Sequence, residues 1–214
     1  MEFLHIIKCI EEELKKPLPG KDIQLKMSSM RRIRELMDES KRINGVKSSV
    51  LILLYPNLSG EKIQTVLIQR PSYEGIHGGQ ISLPGGKSEE SDSNLQETAL
   101  REAKEEVGID PEKVRILGAL TELYIPPSNY IVLPFVGYST ERPIFQPDPQ
   151  EVDGIIEIDL ADLRNEKNIK HKEIYVRPGL SVTGPCFEIN GSIIWGATAM
   201  IINEFREILT RIYL

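Results

Sequence analysis

The chain has 214 residues, a mass of 24.2 kDa and a formal net charge of −6. This length is enough to bury a sizeable core within one domain. The acidic balance argues against a general nucleic-acid binder, because affinity for the phosphate backbone requires clustered positive charge. We therefore expect a globular domain without a nucleic-acid partner.

Cysteine usage and hydropathy bear on the cellular location. Cys9 and Cys186 are far apart and match no zinc spacing, and a structural disulfide is not expected. The apolar run 50–55 is too short to cross a bilayer. The first residues lack the charged and apolar regions of a signal peptide. We expect a cytoplasmic protein with no membrane partner.

The N-terminal part of the chain has a helical pattern. Apolar residues recur at helical spacing from Phe3 to Leu14 and stop before Pro17, and a second helix is predicted over 28–41. That second helix carries a basic run: Arg31, Arg32 and Arg34. This run either binds an anionic ligand or faces solvent. We assign residues 1–45 to a helical arm, which either supports a homodimer or packs on its own domain.

Strand patterns dominate from residue 46 onward. Alternating and β-branched residues predict strands over 49–55, 62–70, 114–122, 130–138 and 154–158, a short one near Ile81, and extended pieces between 174 and 194. A turn of helix is expected near Asp162. The final helix, over 197–212, has a predicted buried face: Ile201, Ile202, Phe205, Ile208, Leu209 and Ile212. Helices before, within and after the strands favour an α/β sandwich with a mixed sheet.

One further helix, between these strands, carries three glutamates. Glu102, Glu105 and Glu106 stand at i, i+3 and i+4, so their carboxylates share an arc of about 100°. Clustered like charges repel, and hard divalent cations take oxygen ligands together with substrate phosphates. The preceding Gly85-Gly86 bend allows close backbone approach, so the Gly86 carbonyl is a further candidate ligand. A solvated acidic face is the alternative.

The ends and the packing face of this helix are also predicted. Ser93 and Gln96 fit a capping box, and Gly108 fits the left-handed position that follows a helix. An apolar strip lies beside the acidic one: Leu100, Ala103 and Val107. The helix can therefore pack on the sheet and still present its carboxylates.

The segment from Gly86 to Ile109 resembles a Nudix box, the glycine-loop-helix signature of the Nudix hydrolases. Its R-E-x-x-E-E-x-G half is intact from Arg101 to Gly108. The loop after Gly86 is one residue longer than the general pattern, and Asp92 or Ser93 stands where a glutamate is usual.

The longer loop is similar to that of the coenzyme A pyrophosphatase-like branch of the family. The segments 77–86, 128–137 and 195–199 are also similar to that branch, so the resemblance covers about residues 46–210. Gly75 and Leu83 depart from the strict coenzyme A signature, which has arginine and phenylalanine there. A lost arginine removes a possible bidentate phosphate contact.

The resemblance implies a Nudix-type α/β/α sandwich over residues 46–214 and a metal centre for Mg²⁺ or Mn²⁺. Glu102 and Glu106 are the implied principal ligands, joined by the Gly86 carbonyl. Glu105 is a further implied metal ligand and is also a candidate to deprotonate the bridging water. Arg101, four residues from Glu105, orients that carboxylate or forms a surface salt bridge of little consequence.

A further acid outside the box and several substrate contacts are expected. Glu151 is the first candidate acid, with Asp153 and Glu122 behind it, and each is alternatively a solvated loop acid. The candidate substrate-binding residues are Arg70, His77 and Gln80. Arg70 either binds a phosphate or pairs with the acidic helix, and Gln80 would orient the glycine turn.

Trp195 is interpreted as a core anchor, because Gly196 permits close packing beside it. The alternative is a platform on which a nucleotide base stacks.

Three functions remain open. The first is hydrolysis of the diphosphate linkage of coenzyme A or acyl-CoA to 3′,5′-ADP and (acyl-)4′-phosphopantetheine. The second is hydrolysis of another small nucleotide substrate, such as ADP-ribose, a dinucleotide or a nucleoside triphosphate. The third is a non-catalytic ligand sensor, against which the intact glutamates argue.

Overall fold

The computed structural model describes residues 3–29, 44–71, 78–177 and 179–212. Within these ranges the α-helices are α1 (Phe3–Leu14), α2 (Lys21–Leu25), α3 (Leu95–Val107), α4 (Leu160–Arg164) and α5 (Gly196–Thr210). The strands are β1 (Val46–Pro56), β2 (Ile63–Gln69), β3 (Ile81–Ser82), β4 (Gly85–Lys87), β5 (Arg115–Ala119), β6 (Leu123–Ile125), β7 (Tyr130–Tyr138), β8 (Gly154–Asp159), β9 (Ile169–Arg177), β10 (Leu180–Ile189) and β11 (Ser192–Trp195).

The described strands form two sheets. The larger sheet has the order β3-β2-β1-β7-β5, and β4, β6 and β8 pair with β1, β7 and β2. Strands β1 and β7 run parallel, whereas the other described pairs are antiparallel, so this sheet is mixed. Strands β9, β10 and β11 form a smaller antiparallel sheet.

The two faces of β1 belong to two different cores. Leu51, Leu53 and Tyr55 pack with α3 on one face, where Ala103 and Val107 are also buried. Ile52 and Leu54 pack on the other face with α1 and α5. The smaller sheet contributes to this second core, for example through Phe187. The helices therefore cover both faces of the mixed sheet, which confirms the predicted α/β/α sandwich.

The described part of the N-terminal arm packs on its own domain. Ile6, Ile7 and Ile10 of α1 are buried in the same core as α5. The arm is therefore continuous with the core. A homodimer and the domain boundary near residue 45 both stay predictions.

Glu204 of α5 is a fully buried carboxylate that holds this arm in place. It accepts hydrogen bonds from the Gly20 backbone N–H (3.1 Å) and the Gln24 side-chain amide (2.8 Å). It also accepts from the Thr121 N–H (3.2 Å) and hydroxyl (2.6 Å). Buried polar groups require such partners, so these bonds tie the arm to the sheet edge through α5.

Most predicted elements occur where the patterns put them. Strand β7 coincides with the predicted 130–138, and the final helix begins and ends within two residues of its expected bounds. The predicted strand 114–122 ends at Ala119, after which β6 forms a separate strand on β7. The helix predicted over 28–41 lies outside the described residues, apart from Ser28 and Ser29, which are not helical. No helix of the described residues is long and apolar enough to cross a membrane.

We predict that Glu204→Leu lowers the free energy of unfolding by about 3 kcal/mol, because it leaves several buried donors without an acceptor. Urea denaturation measures this change. Glu207→Leu, three residues along the same helix, is the control and should change the value by less than about 0.5 kcal/mol. Equal losses in the two variants would show that the Glu204 contacts do not hold the arm.

Candidate active site

The glycine turn before α3 brings backbone against the acidic helix. Gly85 has φ 149°, and a Cβ on it would stand 2.6 Å from the Val50 Cα, so only glycine fits there. Its N–H donates to Glu106 Oε2 at 2.7 Å. Arg70 Nη2 reaches the Gly85 carbonyl and Glu106 Oε1, each at 3.3 Å. Arg70 therefore pairs with the acidic helix, which was one of its two predicted roles. It also lines the adjoining cleft, where a phosphate would bind in the other role.

Glu106 is an uncommon carboxylate because only 1% of its side chain is exposed. The pKa of Glu106 is raised to about 7, mainly by burial; the nearby charges of Glu102 and Glu151 also raise it, while Arg70 and the Gly85 N–H lower it. Burial likewise raises the pKa of Glu102. The charges of Glu102 and Glu151 thus lie close enough to oppose the ionisation of Glu106, as in a site built for a cation.

Gly86 lies against the second of these carboxylates. A Cβ on Gly86 would stand 2.6 Å from Glu102 Oε1, so a larger residue would displace that side chain. The glycine therefore leaves room for Glu102 at the turn. The Gly86 backbone thus lies beside the Glu102 carboxylate, and these two residues are predicted to bind the same metal ion.

Helix α3 begins at a different cap from the one predicted. The capping box of Ser93 and Gln96 is wrong, because the Asn94 side chain accepts from the N–H groups of Gln96 (2.9 Å) and Glu97 (3.0 Å). An Asn carbonyl satisfies these free donors as a serine hydroxyl would. The C-terminal prediction is confirmed: Gly108 has φ 74° and donates its N–H to the Lys104 carbonyl.

Arg101 is held by Asp92, one of the two residues that stand where the family pattern usually has a glutamate. Asp92 receives Arg101 Nε at 2.9 Å and Nη2 at 3.0 Å, a bidentate pair, and its side chain is only 4% exposed. These hydrogen bonds hold the pKa of Asp92 well below its usual range. The remaining Arg101 nitrogen donates to Glu102 at 3.0 Å and Glu105 at 2.9 Å. The predicted Arg101–Glu105 pair therefore exists, and Asp92 orients it.

The carboxylate and carbonyl oxygens of this site suit a hard divalent cation, although the Glu105 side chain forms an ion pair with Arg101. Carboxylate and carbonyl oxygens are the ligands that Mg²⁺ takes in proteins. In the part of the chain that the structure describes, no three His, Cys, Asp or Glu side chains form a ready-made metal cage. Glu105 is 55% exposed and pairs with Arg101. The metal roles of Gly86, Glu102, Glu105 and Glu106 accordingly stay predictions.

The loop before β8 is docked on the end of α3, which places Glu151 near the acidic cluster. The Gln146 N–H donates to the Val107 carbonyl at 2.9 Å, and the Asp148 N–H donates to the Glu106 carbonyl at 3.1 Å. A Cβ on Gly108 would stand 2.9 Å from the Gln146 carbonyl, so this close approach also requires glycine. Asp148 in turn accepts from the Glu151 N–H at 3.1 Å.

Of the three candidate acids outside the box, Glu151 fits best. It lines the cleft and raises the pKa of both Glu102 and Glu106 through its charge. Asp153 and Glu122 are not among the described residues that line this cleft.

The acidic cluster opens into a cleft of about 810 Å³. Gln80 lines it, as predicted for a substrate-binding residue, and its carbonyl accepts from the Arg70 N–H. His77 lies outside the described residues. Trp195 is partly buried and lines the cleft beside the start of α5, a position compatible with packing beside Gly196 and with the alternative of a stacking platform. A half-buried indole at a cleft wall is available to a ligand.

Two site features had no clear signal in the sequence. Asp92 was only one of two alternatives, although an acid nine residues before Arg101 could have been tested as its partner. The docking of the 146–152 loop depends on backbone hydrogen bonds, which every residue type except proline can donate. Only Gly108 could have pointed to that close approach.

Comparison with known proteins agrees with this site. The NUDIX domain family matches residues 47–177. Nudix hydrolase NudL of Yersinia enterocolitica is 34% identical over 155 residues, which cover 72% of this chain and 78% of that protein. Nudix hydrolase 22, chloroplastic, of Arabidopsis thaliana is 32% identical over 166 residues, or 75% of this chain and 54% of that protein.

The chain spans about half the length of the two Arabidopsis relatives it matches, 54% of one and 50% of the other. A crystal structure of a Nudix hydrolase from M. smegmatis, RenU, has a TM-score of 0.54 and 16% identity. That match covers 79% of this chain and 88% of the other, and it shows the fold alone.

An acidic helix held against a glycine turn on a mixed α/β/α sandwich defines the Nudix class of domain. The chain belongs to the Nudix hydrolase family. The family prediction is confirmed.

We predict that Asp92→Asn lowers the free energy of unfolding by about 2 kcal/mol near neutral pH, because it removes a charge-assisted bidentate pair. The pKa of Asp92 is depressed in the folded protein, so its stabilisation is present above the unfolded pKa of about 3.9 and is lost as the pH falls below it. The difference between wild type and variant should therefore be constant from pH 8 to 5 and shrink below about pH 4.

Urea denaturation at several pH values measures this difference. Glu90→Gln, which changes an exposed acid of the same loop, is the matched control. A gap between wild type and Asp92→Asn that widens on acidification would contradict the assigned ion pair.

Proposed function

We propose that this chain is a metal-dependent Nudix pyrophosphohydrolase that cleaves the diphosphate linkage of coenzyme A or acyl-CoA. The observation that carries the proposal is the grouping of Glu102, Glu106 and Glu151 beside Arg70 at one end of an 810 Å³ cleft. A diphosphate is polyanionic, so it needs both cationic charge and a positioned base to be hydrolysed.

Mg²⁺ or Mn²⁺ would be held by Glu102 and Glu106, with the Gly86 carbonyl and Glu105 as further ligands. When bound, such a cation neutralises the diphosphate oxygens and polarises water. Burial is the main cause that raises the pKa of Glu102 and Glu106, and neighbouring carboxylate charges add to it, which supports this assignment. Arg101 orients Glu105 and Glu102, and Asp92 orients Arg101.

The protein side chains supply proton transfer and orientation. A water oxygen attacks one phosphorus, the bridging P–O bond breaks, and the second phosphate leaves with the bond electrons. Glu151 takes the proton of the attacking water, and Glu105 is the second candidate base. Arg70, at the cleft wall, and Gln80 would orient the phosphates.

Two observations favour coenzyme A derivatives over other substrates. The residue pattern on both sides of the box is similar to the coenzyme A branch, and the cleft exceeds what a diphosphate alone requires. Leu83, buried beside the turn, and Gly75 depart from that branch. Another nucleoside diphosphate derivative, such as ADP-ribose, is therefore the second candidate, and a non-catalytic sensor is the third.

A substrate panel tests these alternatives directly. Coenzyme A, acetyl-CoA, ADP-ribose, a diadenosine polyphosphate and a nucleoside triphosphate are each incubated with the protein and Mg²⁺ or Mn²⁺, and the products are separated by chromatography. We expect 3′,5′-ADP from the coenzyme A compounds. Cleavage of ADP-ribose alone would reject the coenzyme A assignment, and no cleavage of any compound would reject the enzyme.

We predict that Glu106→Gln lowers kcat/KM by more than about 100-fold, the upper range for residues that only support a metal ligand. The amide oxygen can still accept from the Gly85 N–H, so the fold should persist, as circular dichroism would verify. Mn²⁺ binding, followed by electron paramagnetic resonance, should weaken in parallel.

Glu97→Gln, in the first turn of the same helix, is the matched control and should retain activity and Mn²⁺ affinity. A folded Glu106→Gln protein with near wild-type turnover would refute the ligand role of Glu106.

The cytoplasmic location of the protein stays a prediction.

A further inference from the structure

The cleft has a charged end and an apolar end. Among the described residues that line it, the charged ones are Arg70, Lys87, Glu102, Glu106 and Glu151. Glu102, Glu106 and Glu151 form the acidic cluster, Arg70 pairs with Glu106 beside it, and Lys87 follows Gly86 on β4. The rest of the described lining carries no charge: it has nine aliphatic side chains, Trp195 and Tyr130 as aromatic members, and seven uncharged polar residues, four of them serines.

The sheet sets the separation of these two ends. Lys87 of β4 pairs with Ser48 of β1, and Ser48 pairs with Val132 of β7. Beyond β7 comes β6, whose Ile125 also lines the cleft. Three strand spacings of about 4.8 Å place the β6 end roughly 14 Å from β4. The cleft floor therefore runs across the strands, away from the glutamates.

The smaller sheet forms a wall of the apolar end. Leu180 and Val182 of β10 line the cleft, whereas the intervening Ser181 and the following Thr183 are exposed. This alternation directs one face of the strand into the cleft. Val176 of β9 adds to the same wall, and Ile201 of α5 lines the cleft from the final helix.

We propose that this apolar chamber, formed by Val176, Leu180, Val182, Ile125 and Ile201, binds the acyl chain of an acyl-CoA, and that Val182 sets the accepted chain length. The inference rests on the proposed function and specifies the substrate within it. It makes the β9–β10 hairpin, a part of the chain far from the Nudix box, a determinant of specificity.

Charge decides which end of the substrate enters the chamber. The adenosine end of coenzyme A carries a 3′-phosphate, and burying that dianion without a cation is costly. Arg70 and Lys87, the cations among the described lining residues, belong to the charged end. An acyl chain has no charge and no hydrogen-bonding groups along its length. Each methylene moved from water into the chamber strengthens binding by up to about fourfold.

Binding can be measured without turnover in EDTA by calorimetry with coenzyme A, butanoyl-CoA and octanoyl-CoA. Wild type should bind octanoyl-CoA at least about tenfold more tightly than coenzyme A, which corresponds to a few buried methylenes. Val182→Phe fills the chamber and should abolish most of this preference while coenzyme A affinity changes less than about twofold. Val182→Ala enlarges the chamber and should move the preference toward longer chains.

Thr183→Phe is the matched control, because it adds the same ring to the exposed face of the same strand and should leave every affinity unchanged. Equal binding of octanoyl-CoA and coenzyme A by wild type would overturn the chamber assignment. So would a preference that survives in a folded Val182→Phe protein. The proposed function fails in a different experiment: the substrate panel would then show no cleavage of any coenzyme A compound with Mg²⁺ or Mn²⁺.

Discussion

The contact between the Glu106 carboxylate and the Gly85 backbone joins the parts on which the site depends. Glu106 belongs to α3, Gly85 belongs to β4, and β4 is paired with β1 in the middle of the larger sheet. Burial makes this carboxylate costly to ionise. The guanidinium of Arg70, the residue that follows β2, offsets part of that cost with its positive charge. The acidic helix is thereby placed with respect to the sheet by a polar interaction as well as by its apolar strip.

The cleft combines two environments that require different construction. Its charged end is built from short-range polar contacts, in which Asp92 orients Arg101 and the 146–152 loop is hydrogen-bonded to the end of α3. Its apolar end is built from the alternation of strand residues on the smaller sheet. A substrate with a diphosphate and a hydrocarbon portion would match both ends at once, which is why the two proposals refer to one molecule.

The sequence was informative wherever the signal was local. Helical spacing located α1 and α5, and Gly108 correctly marked the end of α3, because these features depend on neighbouring residues. The glutamate spacing predicted the candidate site in the same way. It could not reveal that the Glu105 side chain is largely exposed, or that Glu204 is buried at the arm, since both depend on what packs nearby. The cap at Asn94 instead of Ser93 reflects the usual uncertainty of one residue at a helix start.

The bonds of Glu204 join residues that are very distant along the chain. The Gly20 N–H and the Glu204 carboxylate are separated by 184 positions. During synthesis the ribosome therefore releases the first helices long before their acceptor exists, and contacts of such high sequence separation form slowly. The part of α1 that packs on α5 therefore stays uncovered until the last residues of the domain have been made.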